Sequence, residues 1–110
     1  MKIGIIIIFH NNENDIDKEM FSNLLNKTKL TPLCFVNNGS KDNTLEVLKL
    51  LKNEFHSKVS ILDVKRNKGT ELAIKAGARY LFNTDELNHI GYVNMNSFNG
   101  FKDFNKLIWA

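Results

Sequence analysis

The opening strand-like run, Ile3 to Phe9, constrains the fold of this 110-residue chain more than any other feature. It reads Ile-Gly-Ile-Ile-Ile-Ile-Phe, with no polar residue. β-branched side chains favour extended backbone. A strand with one wet face alternates apolar and polar residues, and this run does not, so both of its faces must be covered. The run is also far too short to span a bilayer, which takes about 20 apolar residues as a helix. The chain therefore needs helices on both sides of a central sheet.

The remaining sequence supplies them in turn. After the polar stretch His10 to Asp15, residues Ile16 to Asn26 carry Ile16, Met20 and Leu24, with Phe21 and Leu25, at helical spacing. Asp15 is the expected N-cap. Leu33 to Val36 reads as a second strand, with Pro32 tolerable at its start. The polar turn Asn37 to Ser40 follows. Leu45, Leu48, Leu51 and Phe55 then mark one face of a second helix, capped by Asp42 or Ser40.

Val59 to Val64 is a third strand, and Lys65 to Gly69 a basic loop containing glycine. Leu72, Ala73, Ala76 and Tyr80 give a third amphipathic helix, and His89 to Val93 a fourth strand. The tail, Gly100 to Ala110, reads as a short helix with Phe104, Leu107 and Ile108 inward. The order βαβαβαβ predicts an α/β fold. It is a Rossmann-like three-layer αβα arrangement around a mainly parallel sheet with right-handed crossovers.

Composition narrows the function classes. Hydrophobic residues make up 43% and charged residues 25%, which suits one globular core. The net charge of +3 is mild, and the one short basic cluster is Lys65, Arg66 and Lys68. No run of like charges or alternation of basic and aromatic residues points to nucleic acid. Cys34 is the sole cysteine, so an intrachain disulfide and a Cys-rich zinc site are both excluded. With no secretion signal or membrane-spanning run, the expected location is cytoplasmic.

In an open parallel sheet the ligand site lies outside the carboxyl ends of the strands. Four segments are expected there: His10 to Asp15, Asn37 to Ser40, Lys65 to Gly69, and Asn94 to Ser97. All four are polar, and that coincidence points to a site. Asn-Asn-Gly-Ser is good turn sequence in its own right. The cluster of Lys65, Arg66 and Lys68 beside a helix start favours a diphosphate, and it also suits a solvated loop. His10 and Asn11 end the first strand and are candidates to line a base and ribose.

The same segments resemble a known family. Val36-Asn37-Asn38-Gly39-Ser40-Lys41-Asp42-Asn43-Thr44 resembles the V-D-D-G-S-x-D-x-T signature of family 2 glycosyltransferases, which have the GT-A fold. Ile5 to Glu13 resembles that family's opening I-I-I-P-x-Y-N-E. Arg66-Asn67-Lys68-Gly69, followed by Ala73 and Gly77, resembles R-N-x-G and then A-x-x-x-G. Tyr92-Val93-Asn94-Met95-Asn96 stands where the family has D-x-D.

The resemblance implies one domain over residues 1–110, corresponding to the N-terminal, donor-binding half of the full family domain. It implies binding of a nucleotide-diphosphate sugar, a UDP-sugar first, for inverting transfer of a hexose to a glycan or lipid acceptor in polysaccharide biosynthesis. Asn38 takes the place of the carboxylate that accepts the uracil imide proton. Arg66, with Lys68, lies in the nucleotide site, and Asn94 and Asn96 lie at the donor diphosphate. The family's catalytic base belongs to the C-terminal half, so no catalytic residue is assigned here.

Departures from the pattern matter as much. The family's D-x-D carboxylates hold Mn²⁺ or Mg²⁺, whereas Asn94 and Asn96 are uncharged and suit a hard divalent ion poorly. Asn37 and Asn38 replace an acidic pair in the same way, and Asp85 and Asp103 are not in the right place to substitute. Two readings stay open: a glycosyltransferase domain that binds its donor without metal, with Lys and Arg neutralising the phosphate, and a non-catalytic relative that keeps the fold as an interaction module. A flavodoxin-like domain would want a phosphate loop after the first strand, which His10-Asn11-Asn12-Glu13 is not. The sheet edge beside the fourth strand is left open and could pair with a second copy as a homodimer.

Overall fold

The structure, a computed structural model, describes residues 3–27, 31–54, 59–67, 69–84 and 86–96. Strand β1 is Ile3–Phe9 and β2 is Leu33–Asn38; β3 is Val59–Val64 and β4 is His89–Asn94. They form one sheet in the order β3-β2-β1-β4, and every pairing is parallel. Helices α1 (Lys18–Lys27), α2 (Thr44–Glu54) and α3 (Thr70–Thr84) connect them. The three-layer αβα architecture expected from the order of elements is present.

The strand order explains where the helices lie. The chain steps from β1 to β2 to β3 in one direction, then returns past β2 and β1 to place β4 on the far side. Crossovers of one hand that travel in opposite directions cover opposite faces. Accordingly, Phe21 and Leu25 of α1 and Leu48 and Leu51 of α2 pack on one face, with Ile5, Ile7, Phe9, Leu33 and Phe35. Ala73 and Leu81 of α3 pack on the other, with Ile6, Ile8, Cys34 and Val36. Successive side chains of β1 thus serve two different cores, which is why no polar residue interrupts the run. Burial pushes the Cys34 thiol up to about 12, so it acts as a small apolar side chain.

Four expectations are corrected. The N-cap of α1 is Asp17, whose Oδ1 accepts the Glu19 N–H at 3.0 Å; Asp15 instead donates its own N–H to Asn12 O at 2.9 Å to close the preceding turn. The second strand runs two residues further than expected, because Asn37 and Asn38 continue the ladder opposite Asp63 and Val64. The fourth runs one further, to Asn94.

The inward stripe of α3 is Ala73, Gly77 and Leu81, while Leu72 is 50% exposed. α3 lies so close to β1 that a Cβ on Gly77 would meet Ile6 side-chain carbons at 3.0–3.1 Å. Ala73 and Gly77 therefore face the sheet at this close approach, Leu81 faces it one turn further on, and Leu72 does not. For α2, Asp42 is the capping side chain, accepting the Thr44 N–H at 3.0 Å. The side chains of Met20 and Leu24, residues Phe55 and Lys68, and the tail helix expected at Gly100 to Ala110 lie outside the described residues.

Among the described residues β3 and β4 are the outermost strands of the sheet. No helix among them is long and apolar enough to cross a membrane.

Candidate functional site

The sheet reverses its strand order between β1 and β4, and open α/β sheets bind ligands outside the carboxyl ends of the strands near such a reversal. Parallel pairing puts all four polar segments on that one rim. Ile8 is opposite Asn94, Phe9 is opposite Asn37, and Asn38 is opposite Val64.

Hydrogen bonds join the segments to one another. At the β1–β2 end, His10 Nδ1 lies 2.8 Å from the Asn38 carbonyl oxygen. A carbonyl only accepts, so Nδ1 carries the proton and Nε2 is the acceptor. Nε2 lies 3.3 Å from Asn11 Nδ2, which can donate to it. Asn11 Oδ1 accepts the Lys41 N–H at 2.7 Å, and the Asn11 N–H donates to Ser40 Oγ at 3.0 Å. Asn11 reaches these partners with a φ of 53°, a left-handed conformation that asparagine tolerates better than most residues.

The turn after β2 is pressed against the loop after β3. Gly39 has a φ of 64°, and a Cβ there would lie 2.2 Å from Asn67 N and 2.6 Å from the Arg66 carbonyl carbon. Only glycine fits, because both neighbours are backbone atoms. Its N–H donates to Val64 O at 2.8 Å. Asn38, 3% exposed, turns Nδ2 towards Asn67 Oδ1 at 3.2 Å and Gly69 O at 3.4 Å. Asn37 donates Nδ2 to Asp63 Oδ1 at 3.1 Å and accepts from the Ser40 hydroxyl.

The β1–β4 end is tied through Asn12, which is fully buried. Its Oδ1 accepts the His10 N–H at 2.6 Å, and its Nδ2 reaches Asn96 Oδ1 at 2.7 Å and Asp15 Oδ2 at 2.9 Å. Asn96 donates Nδ2 to the His10 carbonyl at 3.0 Å. Asn94 Oδ1 accepts the Asn96 N–H at 2.9 Å, and Asn94 Nδ2 reaches Thr70 Oγ1, at the start of α3, at 3.0 Å.

Charge sits around this amide network. Arg66 and Lys41 are exposed, and neither forms an ion pair among the described residues. Lys65 is instead paired with Asp63. The Lys65 ammonium holds the Asp63 carboxyl below the ordinary carboxylate value; partial burial opposes this, and the bond from Asn37 adds to it. For Asp42, desolvation pushes the carboxyl up, but the hydroxyl and N–H of Thr44 and the N–H of Glu13 together bring it below its ordinary value.

A family model described as glycosyl transferase family 2 matches residues 4–84. The chain belongs to that family. The match spans β1 through α3, and so three of the four converging segments. A solved structure titled as Staphylococcus aureus TarS, residues 1–349, in complex with UDP-GlcNAc aligns with 98% of this chain, at a TM-score of 0.58 and 19% identity. That likeness confirms the fold. The chain spans about 31% of the TarS chain's length. No curated protein matches the sequence.

The structure brings His10, Asn11, Asn38, Asn94 and Asn96 into one continuous network, with the Arg66 backbone against Gly39. Lys68 lies outside the described residues, as do Ser97, Asp85 and Asp103. Sequence reasoning did not single out Asn12, Lys41, Asn67 or Thr70. Asn12 gave one usable signal: it is polar and lies just past a strand buried on both faces, where a polar group needs partners.

The family's divalent ion does not fit the residues present. Asn94 Oδ1 and Asn96 Oδ1, the oxygens at the D-x-D position, both already accept hydrogen bonds and carry no charge. Among the described residues no group of three or more His, Cys, Asp or Glu side chains could hold a metal ion.

Proposed function

We propose that residues 1–110 are a donor-binding domain of the GT-A kind, and that the carboxyl rim of the sheet holds a nucleotide-diphosphate sugar, a UDP-sugar first, for transfer of a hexose to a glycan or lipid acceptor. The observation that carries this reading is the hydrogen-bonded convergence of four loop segments at the point where the strand order reverses. UDP-GlcNAc in the TarS structure supports the choice of a uridine nucleotide.

Neighbouring strands lie about 4.8 Å apart, so the ends of β3 and β4 are separated by roughly 14 Å, more than one diphosphate can bridge. The donor therefore lies along the rim. Its base and ribose face His10, Asn11, Asn38 and Arg66, and its diphosphate points towards Asn94 and Asn96. Lys68 is assigned to the same nucleotide end as Arg66.

Calorimetric titration with UDP, GDP and several UDP-sugars tests the reading. UDP is expected to bind, and Arg66→Ala to weaken it by about tenfold, the loss of one charge-assisted contact. Lys68→Ala is expected to cost less. Equal small effects from both would reduce the loop to a solvated surface.

A second reading, a non-catalytic module that has kept the fold and lost the ligand, is favoured by one observation: the amides at the acidic positions of the family pattern bond to their neighbours. Absence of binding heat with every nucleotide would decide for it.

A further inference from the structure

The amide orientations where β1 meets β4 are fixed by backbone groups whose roles cannot change. The His10 N–H only donates, so Asn12 must present Oδ1 to it. The Asn96 N–H only donates, so Asn94 must present Oδ1. The His10 carbonyl only accepts, so Asn96 must present Nδ2. Those three constraints leave Asn12 Nδ2 facing Asn96 Oδ1 and the Asp15 carboxylate, and Asn94 Nδ2 facing the Thr70 hydroxyl. Every one of these contacts pairs a donor with an acceptor.

A carboxylate at position 96 would break this pattern. It would turn an oxygen towards the His10 carbonyl, and two unprotonated oxygens repel unless a cation stands between them. The N–H₂ group of Asn96 fills that place. We propose that Asn12, Asn94 and Asn96 form a cation-independent clasp between β1 and β4, and that this rim takes a nucleoside diphosphate without a divalent metal. The phosphate charge is then offset by the exposed Lys41 on the turn after β2, while Arg66 serves the nucleotide end. The clasp stands on the hydrogen bonds alone, and the diphosphate half of the proposal rests on the donor reading above.

The test uses the whole 110-residue chain. Mn²⁺ is titrated into it and followed by electron paramagnetic resonance. UDP calorimetry is run in Mn²⁺ and in EDTA, and thermal melting of the wild type and of N94D/N96D is followed in both. The wild type is expected to melt at the same temperature in Mn²⁺ and EDTA, to show no saturable Mn²⁺ binding, and to change its UDP affinity by less than about twofold. N94D/N96D is expected to melt lower in EDTA and to be raised by Mn²⁺, since metal bound to the folded state stabilises it.

Saturable Mn²⁺ binding to the wild type, or a UDP affinity rising about tenfold or more with Mn²⁺, would overturn the inference and leave the donor reading standing. A variant that Mn²⁺ does not raise would overturn the clasp. Failure of UDP and GDP to bind in either condition would remove the donor reading, and the Mn²⁺ titration and the melts would still decide the clasp. If N94D/N96D does not fold, N96D carries the same comparison with a single added charge.

Discussion

Phe35 and Asn38 lie three residues apart on β2 and are almost equally buried, at 0% and 3% exposure. They are held by opposite means. Phe35 meets Phe9 edge to face at 5.4 Å between ring centroids and Phe21 at 6.3 Å, a packing that requires shape and apolarity and no particular partner atom. Asn38 is held by named atoms of a loop some thirty residues further along the chain. The body of the sheet tolerates apolar residues of the right volume, whereas the rim tolerates only donors opposite acceptors. A fold can therefore survive drift in its rim while its ligand chemistry changes, and the amides at the family's acidic positions illustrate this.

The sharpest way to break the comparison is to remove volume from the body. Phe35→Ala should cost about 3–5 kcal/mol, measured by urea unfolding, because it opens a cavity beside the rings of Phe9 and Phe21. A loss below about 1 kcal/mol would mean the body is not close-packed there.

Asn12→Ala should cost less, about 1–3 kcal/mol, because it strands the His10 N–H without its acceptor. Hydrogen exchange sharpens the prediction. The His10 amide should lose protection while the amides of Ile5 to Ile8 keep theirs, since opening at the rim is local. Uniform loss across β1 would show that rim and body unfold as one unit.

The smallest effect belongs to pH. The folded-state Asp63 carboxyl lies below its ordinary value, so its contribution is present above the unfolded value of about 4 and is lost as pH falls through the lower folded value. Asp63→Asn keeps an acceptor for Asn37 and removes the titration. Its stability should therefore fall less steeply than that of the wild type between about pH 5 and pH 3. Parallel profiles would show that the pair with Lys65 contributes nothing, as many exposed pairs do.

Much of this was legible in the residues. Uninterrupted apolarity from Ile3 to Phe9 required cover on both faces, and the alternation of strand and helix patterns predicted a parallel sheet. The motif order placed the chain in its family. In α3 the periodicity includes Ala73 correctly but favours Leu72 over Gly77, because a glycine carries no apolar signal and only the close approach to Ile6 requires one there. The cap was misplaced for a related reason: Asp15 and Asp17 are equally good capping residues, and only the turn closed on Asn12 decides between them.

The chain's own order of residues determined the layers, the parallel sheet and the side of the sheet on which the loops gather, because burial periodicity and crossover handedness are local properties repeated along the chain. Tertiary structure alone decided that Asn12 joins the rim, that Gly39 must carry no side chain, and which end of each amide faces which atom. Those facts depend on contacts between residues up to 86 positions apart, as between His10 and Asn96. No local pattern encodes them.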